Sequence, residues 1–175
     1  YIDSAFAIAE SSDYNALDYM LNYRKGFTLI QQGENARAIE SLNVARDIAE
    51  AAGNEGARAQ AILNLGAAYT KLGDLQKAIS ALDEAGNIYR ATDDQRGLQR
   101  LHNYMSIYYS RAGDMEKSLS ERQKSLELSI ANRDTSIMIS NHMNLLSSYA
   151  MMGNVEKAFY HYHERNRIID LIEYP

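Results

Sequence analysis

Acidic side chains outnumber basic ones by 23 to 18 in 175 residues, and the net charge of −5 argues against a nucleic-acid partner, which needs a basic face and counterion release. The absence of cysteine excludes thiolate chemistry, disulfides and cysteine-ligated metal, and leaves both cytoplasm and periplasm open as compartments. A composition 46% hydrophobic and 23% charged, with a single proline and no apolar run of about eighteen residues, suits a globular helical chain with no membrane contact in view.

The chain opens on Tyr1, and residues 4–11 align one period before 44–51, so 1–13 reads as the remnant of a preceding repeat in a larger protein. Apolar spacing then predicts helices over 18–32, 35–52, 57–72, 75–91, 98–112, 115–131, 135–152 and 155–172. Strand-like alternation of β-branched residues is absent. The connectors at 53–56, 92–97 and 132–134 are polar, and no long linker divides the chain.

Glycine recurs at Gly33, Gly73, Gly113 and Gly153, a constant spacing of 40 residues. Glu34, Asp74, Asp114 and Asn154 follow the glycines, and Arg37, Lys77, Lys117 and Lys157 come three residues later. A Gly can close one helix in the left-handed conformation, and an Asp or Asn after it can accept hydrogen bonds from the free amides of the next. Each Gly-Asp pair is therefore a tight turn between paired helices. Repeats of this size bury their apolar faces only by stacking, which is the design of an elongated solenoid that holds another chain. Columns such as Ile39, Ile79, Leu119 and Phe159, or Ile48, Ile88, Leu128 and Ile168, are expected to fill the core between stacked pairs.

Leu65, Gly66, Tyr69, Gly73, Ala78, Leu82 and Ala85 fall where a tetratricopeptide repeat (TPR) places its large, small and aromatic residues. Gly26, Gly33, Ala38, Leu42 and Ala45 match in the first pair, Ser106, Tyr109, Gly113, Ser118 and Ser125 in the third, and Tyr149, Gly153 and Ala158 in the fourth. The chain resembles the TPR family over almost its whole length. That resemblance implies an all-α fold, a right-handed TPR superhelix (α-solenoid) of four antiparallel helix pairs plus a partial N-terminal helix, with repeats at 18–56, 57–96, 97–134 and 135–173. The 40-residue period exceeds the usual length of about 34. This longer form resembles bacterial signalling proteins, peptide receptors and the light chains of kinesin.

In such relatives an asparagine on the inner face of successive first helices grips the main chain of an extended peptide. The matching positions are Arg24, Asn64, Tyr104 and Asn144, with Asn103 beside the third. A carboxamide both donates and accepts, which suits a peptide backbone without demanding a sequence. In the same register stand Tyr23, Phe27, Thr70, Lys71, Arg100, Ile107, Ser110, Arg111, Met143 and Ser147. Arg24, Lys71, Arg100 and Arg111 can take a ligand carboxylate. The family's carboxylate clamp for chain-terminal peptides is not reproduced.

His161 and His163 point about 200° apart on a helix and cannot share an ion, and His102 and His142 form a repeat column with no carboxylate at ligand spacing. No cofactor or metal is expected. No nucleophile elbow, phosphate-cradling loop or zinc-protease motif is present, so no enzymatic activity is expected. Leu146 and Arg165 replace small residues of the earlier pairs, from which the array is expected to end at the fourth repeat with His161, His163, Glu164, Arg165 and Arg167 facing solvent or a different element. The expected function is that of a protein- or peptide-binding module, the sensory or scaffolding region of a bacterial signalling protein. Homo-oligomerisation and small-molecule or autoinducer-peptide reception are the alternatives.

Overall fold

The computed structural model describes the backbone of residues 2–173 and the side chains of residues 15–172. Its elements are α1 (Ile2–Gln32), α2 (Asn35–Ala51), α3 (Glu55–Leu72), α4 (Leu75–Ala91), α5 (Gln95–Arg111), α6 (Met115–Ala131), α7 (Thr135–Met151) and α8 (Val155–Glu173). The backbone of 2–13 runs without a break into α1. Side-chain packing of 1–13, the segment read as a remnant of a preceding repeat, lies outside the described residues.

The turns share one geometry. Left-handed residues occur at Gly33, Gly53, Gly73, Asp93, Gly113, Arg133 and Gly153, so the backbone repeats at half the spacing of the glycine column. After each, an amide bonds back to a carbonyl five residues earlier, as from Asp74 to Tyr69 at 3.0 Å and from Asp94 to Tyr89 at 2.9 Å. Gly is the residue that adopts this conformation without strain, which explains five of the positions. Asp93 and Arg133 adopt it without being glycine, so α5 starts at Gln95, within the predicted connector.

The side chains of Asn54, Asp74, Asp114 and Asp134 accept from amides three residues on, as expected of N-caps. Glu34 makes no such cap and pairs with Arg37 instead. The basic column completes the turns: Lys77 lies 2.9 Å from Asp74 and its Nζ sits 5.6 Å from the Tyr69 ring centre. Lys117 repeats this over Tyr109 at 5.4 Å and Lys157 over Tyr149 at 5.1 Å. These lysines clasp turns, and being exposed each pairing is screened by solvent and weak.

Two compact units divide the chain, Tyr1–Asp94 and Gln95–Pro175. In the first, Leu29, Ile30, Ala38 and Leu42 of α1 and α2 cluster with Leu65 and Ala68 of α3, and Tyr23, Ile39 and Tyr69 pack against them. Gly26 and Gly66 allow the close approach, since a Cβ at Gly66 would stand 2.8 Å from Leu82.

The second unit has a more polar interior. Ser106, Ser118, Ser125 and Ser129 are buried, and each hydroxyl donates to a backbone carbonyl. Arg122 stands where Leu42 and Leu82 stand in the first two pairs. Two expectations fail at the last pair. Phe159 is 59% exposed instead of filling the core, because no following helix covers it among the described residues. His161 is buried rather than solvent-facing, because it turns toward His142 on α7.

Candidate partner-binding site

On α1, Tyr23, Arg24, Phe27 and Thr28 line a shallow hollow of about 370 Å³. Arg24 and Phe27 are exposed. The hollow has a prepared wall. Tyr19 stacks on Tyr23 with ring centres 5.7 Å apart, and the Tyr19 hydroxyl donates to the Ala57 carbonyl at 3.0 Å. Asn64 Nδ2 donates to the Tyr23 hydroxyl at 3.1 Å and to the Gln60 carbonyl at 3.0 Å.

Asn64 is only 3% exposed, so its amide stands behind Tyr23 rather than on the open face. Lys71 Nζ donates to the Ile30 carbonyl at 3.0 Å, at the negative end of α1, where a cation is favoured. Thr70 is buried and bonds Gly66 within its own helix. Of the candidates in this unit, Arg24 is thus the one fully presented to a ligand, with Phe27 beside it.

In the second unit, α5 carries Arg100, Asn103 and Tyr104, all half-buried, and Arg111, exposed at its last turn. Arg100 Nε is buried without a hydrogen-bond acceptor among the described residues. Asn144 is exposed on α7, between Met143 and Ser147, which are exposed as well. Ser147 and Ser148 turn their hydroxyls back to the Met143 and Asn144 carbonyls, leaving the Asn144 amide at the surface. Asn64 belongs to one unit and Asn103 and Asn144 to the other, so neither unit by itself contains the row of three carboxamides.

Two histidine contacts lie outside the sequence reading. His102 Nδ1 lies 2.6 Å from Glu121, so a carboxylate does accompany it, from the partner helix. Burial pushes the Glu121 pKa up, but bonds from Lys124 and His102 outweigh this and leave it below the ordinary carboxylate value. His142 Nδ1 lies 3.0 Å from His161 Nδ1, and the Tyr149 ring stacks on His161 at 5.5 Å. The signal was present as a second column, Ser41, Ala81, Glu121 and His161, placed opposite Asn22, Ile62, His102 and His142. Among the described residues no group of three or more His, Cys, Asp or Glu is placed to hold a metal, and no helix is long and apolar enough to cross a membrane.

The family model of the tetratricopeptide repeat matches residues 18–91. Residues 18–91 therefore carry tetratricopeptide repeats. Among solved structures, BtubC (BKLC) from P. vanneervenii is similar with a TM-score of 0.74 at 17% identity, over 90% of this chain. The chain spans 65% of the length of that structure. The TPR domain of Arabidopsis FLU is similar with a TM-score of 0.59 at 19% identity, over 69% of this chain and 98% of that domain. These likenesses concern the TPR fold. No curated protein matches the sequence. TPR domains are generally non-catalytic modules that bind other proteins.

Proposed function

We propose that this TPR chain binds an extended segment of a partner protein through the open faces of its first helices. In the larger protein it would serve as the sensory or scaffolding region of a bacterial signalling system. The observation that carries the reading is the hollow on α1, where Arg24 and Phe27 are exposed beside a Tyr23 ring fixed by Tyr19 and Asn64. An exposed aromatic, a pre-positioned ring and an exposed guanidinium suit a peptide with an apolar residue near a carboxylate. The exposed Asn144 amide on α7 offers main-chain recognition in the second unit. The signalling role rests on the resemblance of the 40-residue period to that of bacterial signalling TPR proteins.

The test is photocrosslinking in a host lysate, with a photoreactive phenylalanine analogue at Phe27 or, as control, at the exposed Asp83 of α4. A protein crosslinked from Phe27 and not from Asp83 supports the reading. Equal labelling from both positions, or none from Phe27, opposes it.

A further inference from the structure

In the second unit the ring of Tyr149 meets two side chains of α8. Lys157 Nζ lies 5.1 Å from its centre, and the His161 ring stacks on it at 5.5 Å with the planes 2° apart. Tyr160 meets the His161 ring edge-on at 5.1 Å. Subtracting two periods places Tyr149, Lys157, Tyr160 and His161 on Tyr69, Lys77, Ser80 and Ala81. Lys77 keeps its place over the Tyr69 ring at 5.6 Å. Ser80 and Ala81 carry no ring, so the place filled by an imidazole beside Tyr149 is open beside Tyr69. A groove of about 190 Å³ lies there between α2 and α4, floored by Ile62, Leu65 and Tyr69 of α3, with Ser80 and Ala81 in its wall.

The lining selects the occupant. Drug-sized ligands take about 300 to 1,000 Å³, so this space suits one ring with a single substituent. Ile62 stands where His142 bonds the His161 ring in the second unit, and Ile62 and Leu65 are both buried. The floor is therefore apolar, and an all-carbon ring fits it without leaving a polar edge unpaired. Charge comes from the walls, where Arg46 of α2 and Lys77 of α4 stand with one acid, Glu84. Glu84 Oε1 accepts from Arg58 at 2.9 Å, which answers its charge. Arg46 joins the exposed Asp47 through Nε and Nη2, and Nη1 lies outside that pair. A carboxylate is the group that a guanidinium beside an apolar floor receives well. The second unit has Leu126 at the position of Arg46 and so lacks this cation.

We propose that the α2–α4 groove binds a small planar aromatic molecule carrying one carboxylate. Its ring stacks on Tyr69 in the place that His161 takes on Tyr149, over the Ile62 and Leu65 side chains, and its carboxylate meets Arg46. Stacking and the ion pair act together, since an offset ring pair and a charge-assisted hydrogen bond each favour the same pose. The groove lies wholly within the first unit, with α2 and α4 as its two walls. It is separate from the α1 hollow proposed above, and its test is independent.

The test titrates phenylacetate into the isotope-labelled whole chain and follows the Tyr69 and Ala81 amides by NMR. Two controls take the ligand apart: cyclohexylacetate keeps the carboxylate without the aromatic ring, and N-acetylphenylalanine amide keeps the ring without the charge. Phenylacetate is expected to bind with a Kd of about 1 mM, within reach of its roughly ten heavy atoms, and at least about fivefold more tightly than either control. Ala81→His, which copies the second unit, should weaken phenylacetate at least about tenfold by filling the ring's place. Arg46→Gln, at a half-buried wall position, should bring phenylacetate down to the level of N-acetylphenylalanine amide, and keeps the test decisive should Ala81→His disturb α4. No shift of these amides, equal binding of cyclohexylacetate, or binding unaltered by the folded variants overturns the proposal. Tighter binding of N-acetylphenylalanine amide also overturns it, by making an aromatic side chain of another protein the occupant.

Discussion

The Nδ1 atoms of His142 and His161 lie 3.0 Å apart inside the last helix pair, with both rings buried, so one nitrogen donates to the other and the pair is held neutral. Burial holds the pKa of both below the ordinary imidazole value. For His161, burial first and then His142 and Lys157 bring it to about 4, against an opposing pull from Glu164. The unfolded chain takes up protons below about 6.5 that the folded pair refuses, so stability is complete above that pH and is lost as pH falls toward 4. His161 alone accounts for a loss of about 2 kcal/mol by pH 5. Denaturant midpoints at pH 7.5 and pH 5 should show this loss, and His161→Phe should flatten it.

Gly66 tests close packing in the first unit. A Cβ there would stand 2.8 Å from Leu82 Cγ and Cδ2, and Leu82 is fully buried. Gly66→Leu should lower stability by about 3 kcal/mol despite the better helix propensity of leucine. Thermal melting followed by circular dichroism checks this. An unchanged midpoint would mean that α3 and α4 do not approach as closely as described.

Arg122 predicts a gain. Its side chain is 8% exposed, Nε and Nη1 have no hydrogen-bond partner among the described residues, and burial lowers its pKa. The equivalent residues, Leu42 and Leu82, are fully buried. Arg122→Leu should therefore stabilise the second unit by about 1 to 3 kcal/mol, read as a higher urea midpoint.

Asn64 and Asn144 occupy one repeat column but do different work. Asn64→Ala removes the bond that holds Tyr23 and leaves its hydroxyl without that donor, which should cost about 1 kcal/mol of stability. Asn144→Ala, at an exposed amide, should leave the melting midpoint within about 0.5 kcal/mol of wild type. Melting of the two single variants separates the roles.

The helices were legible because glycine and carboxylate columns mark a turn that only certain residues make well. Asp93 and Arg133 hid the finer spacing, since their left-handed conformation is imposed by the flanking helices and not by residue type. Site residues were less legible. A column fixes which face of a helix a residue occupies but not what stands in front of it, and Tyr23 in front of Asn64 shows how much that matters. The lysine column carried no sign of its task, because a clasp over Tyr69, Tyr109 and Tyr149 appears only once the turn is folded. The contact between His142 and His161 was not legible because it joins two helices, 19 residues apart.

Affinity capture from the host lysate, comparing the wild-type chain with an Arg24→Ala/Asn144→Ala variant of unchanged melting midpoint, tests the central claim most directly. A protein retained by the wild type and lost by the variant is the predicted result. Capture of no protein, or of the same proteins in equal amounts by both, would contradict the claim that the first-helix faces bind a partner.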